Sequence, residues 1–475
     1  MRGQAGIVRN LGVLAGAQAT AQLLNLAALV FLARYLGDRW FGVVQVGVAV
    51  SAYALITAEW GLLTLGVREL ARQDEPARAR RYAGEHQGLL AVLAVVVLAA
   101  GLLVLPRLPF WREDPVLFLL YLALVVPQVF AHEWIGIGAE RMGWVGVSRI
   151  AGSVVYAAAV LLLLQPLDGV GGWPAWRWVP LFYLVSFAAG QAVLAVPVRR
   201  WLGGFVWPRR GSRAEWTRRL REAAPIGASI LAMRVLVNGD LVLLGVLAAP
   251  AVAGQYAAPA KVGYLLVVAM EVLWKALLPR LSRLAAAPGG AFAARFRLYF
   301  GIVLVAVVPV AVGGVVLGRD LVTLVFGDQY AAGGPVLQVL AVSYSLLALG
   351  WFLGNSLLAA DRQREFFPPL LAGAVLVVAL GTILIPRHGA LGAAWAVLAA
   401  HAVLLVLTVR RCRSWFGRDL VGAGWAAAAG AGALAAAAAA TAALPFVPRA
   451  GVCAAAYLAA AAWPLRRWLG RRREA

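Results

Sequence analysis

Residues 225–284 read PIGASILAMRVLVNGDLVLLGVLAAPAVAGQYAAPAKVGYLLVVAMEVLWKALLPRLSRL. This stretch contains two long apolar runs joined by an uncharged turn near Pro250. Each run is long enough to cross a bilayer as a helix, which needs about 20 residues. Ionisable side chains in hydrocarbon are costly and usually face a protein interior or a wet cavity. The stretch therefore predicts two transmembrane helices beside a cavity with five ionisable groups: Arg234, Asp240, Lys261, Glu271 and Lys275.

The rest of the chain has the same apolar character. It has 475 residues, 63% hydrophobic and 13% charged, with a mean hydropathy of +0.82. About fourteen apolar runs reach the length of a membrane-crossing helix. They are continuous and do not alternate polar with apolar residues, which indicates helices and not a barrel. We expect an all-α polytopic membrane protein whose first span is retained and is not a removable signal peptide.

The net charge of +22 follows the predicted topology. With the N-terminus inside, 32 of the 43 Lys and Arg residues lie in cytoplasmic segments, 8 lie on the opposite side and 3 lie within spans. This bias predicts that both termini are cytoplasmic. It also makes nucleic-acid binding a poor explanation of the charge.

A weak internal repeat divides the chain into halves. A shift of 212 residues aligns Gly42 with Gly254, Glu59 with Glu271 and Arg68 with Arg280. Six spans separate the copies, so the halves have the same orientation, as in parallel-repeat transporters. We predict four parts: a six-helix bundle (1–198), a cytoplasmic amphipathic linker suited to the headgroup layer (199–222), a second six-helix bundle around the same cavity (223–419), and two extra helices with a basic tail (420–475).

Two motifs carry a family resemblance. FLARYLGDRWFGVVQV followed by AEWGLLTLGVREL resembles the opening of bacterial polysaccharide and oligosaccharide flippases, including O-antigen flippases. These belong to the multidrug/oligosaccharidyl-lipid/polysaccharide exporter superfamily. VNGDLVLLGVLAAPAVAGQYAAPAKVGYLL, with LLPRLSRL after it, is similar to the seventh and eighth helices of that family. The resemblance implies alternating-access transport of an undecaprenyl-diphosphate-linked oligosaccharide from the cytoplasmic to the outer leaflet, for surface polysaccharide synthesis.

A diphosphate substrate calls for cationic side chains in the cavity. Lys261 lies in QYAAPAKVGY, where the related lipid II flippases carry a basic residue; the alternative is a lysine that snorkels to the outer interface. Arg234 lies too deep in its span to snorkel easily. Arg34 either lines the outer mouth or anchors to headgroups, and Arg149 either reaches the cytoplasmic mouth or follows the positive-inside bias. These four form the predicted substrate-binding set.

Six further residues are candidates for ion coupling or for the cavity lining: Glu59, Asp240, Glu271, Lys275, His132 and Glu133. Glu59 either titrates in a dry environment or accepts hydrogen bonds at a helix end. Asp240 is not on the helix face of Arg234 and cannot pair with it locally. A structural ion pair between Asp240 and Lys261 across two helices is the alternative to a functional role for both residues. Glu271 and Lys275 have the spacing of a local salt bridge. His132 and Glu133 are about 100° apart around a helix, so one of them faces the cavity.

The alternatives belong to other classes of protein. A cation-coupled multidrug antiporter of the same superfamily would share the layout but favours an acidic cavity. A membrane polysaccharide polymerase or ligase needs a large outer loop, and no such loop, metal cluster or catalytic triad is visible in the sequence. We therefore expect a non-enzymatic carrier in the bacterial cytoplasmic (inner) membrane. It needs no cofactor beyond a coupling H⁺ or Na⁺, and its partners are the lipid-linked oligosaccharide, membrane lipids and other polysaccharide-assembly proteins.

Overall fold

The structure of the protein is a computed structural model. It describes the backbone of residues 2–73, 75–286, 291–416 and 420–470. It also describes their side chains, apart from 2–15, 17–19, 271–272, 275–276, 279, 286, 291, 420–422, 463 and 467–470.

Helices account for nearly all of the described chain, and no strand occurs in these ranges. In chain order they are α1 (Arg2–Glu59), α2 (Leu62–Leu70), α3 (Pro76–Val104), α4 (Pro115–Ala123), α5 (Val125–Gln128), α6 (Glu133–Gly138), α7 (Met142–Ala158), α8 (Leu164–Leu167), α9 (Ala175–Leu202), α10 (Arg213–Leu247), α11 (Pro250–Ala286), α12 (Ala291–Phe326), α13 (Gly334–Ala359), α14 (Phe367–Cys412), α15 (Leu420–Ala440) and α16 (Phe446–Gly470). The all-α polytopic fold predicted from the sequence is confirmed.

Eleven helical segments among the described residues are long and apolar enough to cross a membrane. Two of them each contain a sharp break, at Gly37 (φ 72°) in α1 and at Gly389 (φ 54°) in α14. Glycine takes these left-handed conformations without the Cβ penalty of other residues. Each broken helix therefore provides two of the predicted spans, and the 37-residue α11 provides a further one. This arrangement accommodates the predicted fourteen.

The predicted linker is only partly helical. Helix α9 continues to Leu202, residues 203–212 are not helical, and α10 begins at Arg213. Gly203 ends α9 with a left-handed conformation at φ 67°, which is a common way to terminate a helix.

By contacts between residues, the chain forms two compact units. The first, here the N-unit, comprises residues 1–234 and 249–254; the second, the C-unit, comprises 235–248 and 255–475. In the N-unit, α1 packs against α3 and α7, and α7 packs against α9. In the C-unit, α13 packs between α12 and α14, while α15 and α16 pack on each other and on α12.

An aromatic cluster forms part of the C-unit core. Phe296, Phe300 and Phe352 are buried with Trp274, and ring centroids of Phe296 and Phe352 are 5.9 Å apart. Aromatic pairs at such separations contribute about 1 kcal/mol beyond the burial of their area.

A buried carboxylate connects the first turns of α4 and α9 in the N-unit. Asp114 is 2% exposed and accepts hydrogen bonds from the backbone N–H of Leu117 (3.1 Å), Trp176 Nε1 (2.8 Å) and Arg177 Nε (2.8 Å). It lies just outside the candidate spans. Burial opposes its ionisation, but the hydrogen bonds from Arg177, Trp176 and Leu117 outweigh burial and lower the pKa of Asp114.

We expect the contribution of Asp114 to stability to disappear in acid. Because its pKa is lower in the folded state, the contribution is complete above the unfolded value of about 4 and fades as pH falls through the folded value. At pH 7, Asp114→Asn should lower the free energy of unfolding by about 2 kcal/mol. The difference should shrink below about pH 4. Thermal unfolding in detergent at several pH values measures this. Asp328→Asn, at an exposed position, is the control, and equal effects of both changes would contradict the prediction.

Candidate functional site

Glu59 is the last residue of α1, immediately before the break at Trp60 and Gly61. Gln128 at the end of α5 donates a hydrogen bond from Nε2 to Glu59 Oε1 at 2.5 Å. Glu133 and Arg234 are near enough to interact electrostatically with Glu59. Glu59 therefore has a neutral donor, a nearby cation and a nearby anion, all within the N-unit.

The adjoining pair His132 and Glu133 makes two different contacts. The backbone N–H of His132 donates to Gln191 Oε1 at 2.7 Å. Arg149 on α7 donates from Nε to Glu133 Oε1 at 3.1 Å, and its Nη2 contacts the same oxygen. Both side chains of this ion pair are about one-third exposed. Arg149 is thus held by a carboxylate on α6.

Arg234 lies on α10 at the limit of the N-unit and is half-buried. Its backbone carbonyl accepts a hydrogen bond from Tyr53 Oη at 3.1 Å. With Glu59 and the Glu133–Arg149 pair, Arg234 completes a group of two acids and two bases inside otherwise apolar helices. In hydrocarbon such mutual neutralisation reduces the cost of burying the charges.

The C-unit contains a second ionisable group around Asp240, which is 3% exposed. The backbone N–H of Leu241 donates to Asp240 Oδ1 at 2.8 Å, and Tyr256 Oη on α11 donates to Oδ2. Lys261, one turn further along α11, interacts electrostatically with Asp240. Asp240 on α10 and Lys261 on α11 therefore attract each other across two helices.

The remaining predicted site residues take separate positions. Arg34 has an exposed side chain on α1, and the side chains of Glu271 and Lys275 lie outside the described residues. A further buried histidine, His401 on α14, was not predicted as a site residue; its Nδ1 lies 2.8 Å from Ser343 Oγ, which is consistent with a packing role.

Sequence reasoning missed three neutral partners in these groups: Gln128, Gln191 and Tyr256. Their signal was available in part, because a glutamine inside an apolar run needs a hydrogen-bond partner when it is buried. Gln128 follows Pro127 in such a run, and Gln191 lies in SFAAGQAVL.

The fold is similar to that of solved flippase and multidrug transporter structures. The chain is similar to the inward closed conformation of the lipid II flippase MurJ, with a TM-score of 0.77 and 9% sequence identity over 96% of this chain and 99% of that one. It is also similar to an inward-facing multidrug resistance MATE family transporter of the MOP superfamily, with a TM-score of 0.64 and 14% identity over 84% and 98%. An outward-facing MATE transporter gives a TM-score of 0.57 and 16% identity over 88% and 96%.

Residues 7–285 match the family described as polysaccharide biosynthesis protein. This match covers more than half of the 475 residues, and the chain belongs to that family. Among curated proteins, none matches the chain by sequence.

Proposed function

We propose that this protein is a flippase that moves a polyprenyl-diphosphate-linked oligosaccharide from the cytoplasmic to the outer leaflet by alternating access. Membership of the polysaccharide biosynthesis family carries the proposal. The structural similarity to a protein described as a lipid II flippase supports it. The protein performs no catalytic step, lies in the bacterial inner membrane with both termini cytoplasmic, and serves a surface polymer such as O-antigen.

The intramembrane charges have a defined role in this proposal. A diphosphate and a sugar cannot enter hydrocarbon without polar partners. Arg234 and Lys261 each have a carboxylate within electrostatic range, Glu59 and Asp240 respectively. Within either unit, the substrate diphosphate replaces the carboxylate as the partner of the cation, which is Arg234 in the N-unit and Lys261 in the C-unit. The released carboxylate then takes up a coupling H⁺ or Na⁺, which compensates the negative charge that has lost its cationic partner.

The direct test is transport of a fluorescent undecaprenyl-diphosphate oligosaccharide by the full-length protein in proteoliposomes. We expect transport by wild type and at least about a tenfold loss in Lys261→Ala and Arg234→Ala, since a charge-assisted contact contributes roughly 1.5–3 kcal/mol. Arg364→Ala, at an exposed loop position, is the matched control and should transport at the wild-type rate.

The double variants distinguish two roles of each cation: binding of the substrate diphosphate and neutralisation of the neighbouring carboxylate. If Arg234 only neutralises Glu59, then Arg234→Ala/Glu59→Gln should recover transport; if Arg234 holds the diphosphate, transport stays low. Lys261→Ala/Asp240→Asn makes the same comparison in the C-unit. Wild-type rates in both single variants would reject these residue roles and leave the flippase proposal standing.

Two other results would replace the proposal. Export of a cationic dye by wild type, without transport of the lipid-linked oligosaccharide, would assign the protein to multidrug antiport. Longer glycan chains after incubation with the same substrate would assign it to polymerisation or ligation.

A further inference from the structure

The non-helical segment 203–212 carries two aromatic side chains that project away from the N-unit. Phe205 is 57% exposed and Trp207 is 66% exposed. One candidate span ends at Leu202 and the next begins at Arg213, so both residues lie just outside the apolar helices. Aromatic residues at this position relative to a span are enriched at the boundary between hydrocarbon and headgroups.

The segment has a fixed attachment to α3. The backbone N–H of Arg209 donates to the Gly84 carbonyl at 2.8 Å, and Arg80 Nη1 donates to the Gly203 carbonyl at 2.9 Å. The backbone of Arg209 lies so close to Gly88 that a Cβ on Gly88 would be 1.9 Å from the Arg209 carbonyl oxygen. The aromatic side chains are therefore held in place by the backbone on either side of them.

The same region has a surplus of positive charge. Residues 199–222 contain eight arginines and two glutamates. Arg218 and Arg219 form ion pairs with Glu215. Within the described part of the chain, the other six form no ion pair: Arg199, Arg200, Arg209, Arg210, Arg213 and Arg221.

Two of these six arginines line a concavity at the start of α10. Its volume is about 520 Å³, and Arg213, Thr217 and Arg221 are among its lining residues. At the end of α9, the Arg199 guanidinium lies 4.3 Å from the centre of the Phe205 ring. Cations and aromatic rings therefore occur together at the ends of both spans.

We propose that residues 199–221 form a binding surface for anionic phospholipid headgroups. Phe205 and Trp207 enter the interfacial layer, and the unpaired arginines contact lipid phosphates, for which the guanidinium fork is well matched. Basic residues beside aromatic ones at a span end are the combination that binds anionic leaflets. The position of the aromatic residues at the hydrocarbon boundary favours lipid over an acidic protein. The surface is independent of the transported substrate.

The first test measures the binding of phosphatidylglycerol to the full-length protein in detergent by native mass spectrometry. We expect tighter binding than for phosphatidylcholine, and a loss of about tenfold or more when Arg209, Arg210, Arg213 and Arg221 are all changed to Gln. The control changes Arg72 and Arg78 to Gln; these exposed arginines already pair with Glu69 and Glu75. Raised salt should weaken wild-type binding.

The second test places a nitroxide at Trp207→Cys in vesicles that contain phosphatidylglycerol. The native Cys412 and Cys453 are buried. We expect the label to be accessible to oxygen and shielded from a water-soluble nickel chelate, and a label at the exposed position Arg364→Cys to show the reverse.

Three results would decide against the lipid surface. Unchanged phosphatidylglycerol binding in the quadruple variant would overturn it, as would a label at 207 that remains in water. Tight capture of an acidic protein together with a water-exposed label would assign the surface to a protein partner. If the quadruple variant elutes as an aggregate, Arg209→Gln/Arg210→Gln and Arg213→Gln/Arg221→Gln are measured separately, and wild-type binding in both pairs overturns the proposal.

Discussion

Gly254→Ala is expected to destabilise the protein severely. Gly254 and Gly42 lie where the first turn of α11 packs on α1 within the N-unit. A Cβ on Gly254 would lie 1.9 Å from the Asp38 carbonyl oxygen, and one on Gly42 would lie 2.1 Å from the Pro250 carbonyl oxygen. Both neighbours are backbone atoms, so one helix must move. Small residues permit such close approaches between membrane helices, and forced overpacking here should cost about 3 kcal/mol.

The measurement is the midpoint of thermal unfolding in detergent, with the yield of monodisperse protein as a second readout. Gly313→Ala in α12 is the matched control, because a Cβ at Gly313 meets nothing within 4 Å. The control should be neutral or stabilised by up to about 1 kcal/mol from helix propensity. If Gly254→Ala unfolds at the wild-type temperature, the close packing at this position is wrong.

Arg149→Ala should produce the second large loss. It removes this ion-pair partner from Glu133 in the apolar part of the N-unit. Removal of one partner costs about 3–5 kcal/mol for a buried pair and at most about 1 kcal/mol for an exposed pair. The partial exposure of both side chains places the expected cost between these limits, at about 2 kcal/mol. Neutralising both groups in Arg149→Ala/Glu133→Gln should recover most of the stability.

Arg78→Ala is the control for this cycle. Arg78 Nε lies 2.9 Å from Glu75 Oε2, a similar distance, but the Arg78 side chain is 79% exposed. Such surface pairs contribute at most about 1 kcal/mol. Equal losses from Arg78→Ala and Arg149→Ala would show that burial does not set the strength of the pair. Normal stability with lost transport in Arg149→Ala would instead give Arg149 a direct role in transport.

The glycines aligned by the internal repeat show how much a weak sequence repeat can predict. Gly42 and Gly254 were matched by a shift of the chain against itself, and the structure places them in contact. The alignment had no means of predicting this contact, because equivalent positions in two copies of a repeat need not touch. The two glycines lie on different helices, α1 and α11, and their contact arises from the packing of these helices.

The apolar runs determined the class of protein by themselves. Length and hydrophobicity suffice for a membrane helix, because its backbone hydrogen bonds close within the segment. For the same reason the ionisable residues inside the spans were recognisable as costly and worth explaining. The hydrogen-bond partners of these residues could not be predicted from the sequence, because Glu59 and Gln128 are 69 residues apart and Asp240 and Tyr256 lie on different helices.

Only the tertiary structure decided which carboxylate interacts with which cation. A polar side chain on one helix can reach several neighbouring helices, and rotation of any helix by a few tens of degrees changes the choice. The sequence therefore predicted a cationic set around Arg234 and Lys261, whereas helix packing gave each of these cations a carboxylate within electrostatic range. Helical periodicity is a local property of the chain, and charge pairing depends on helices brought together from distant segments.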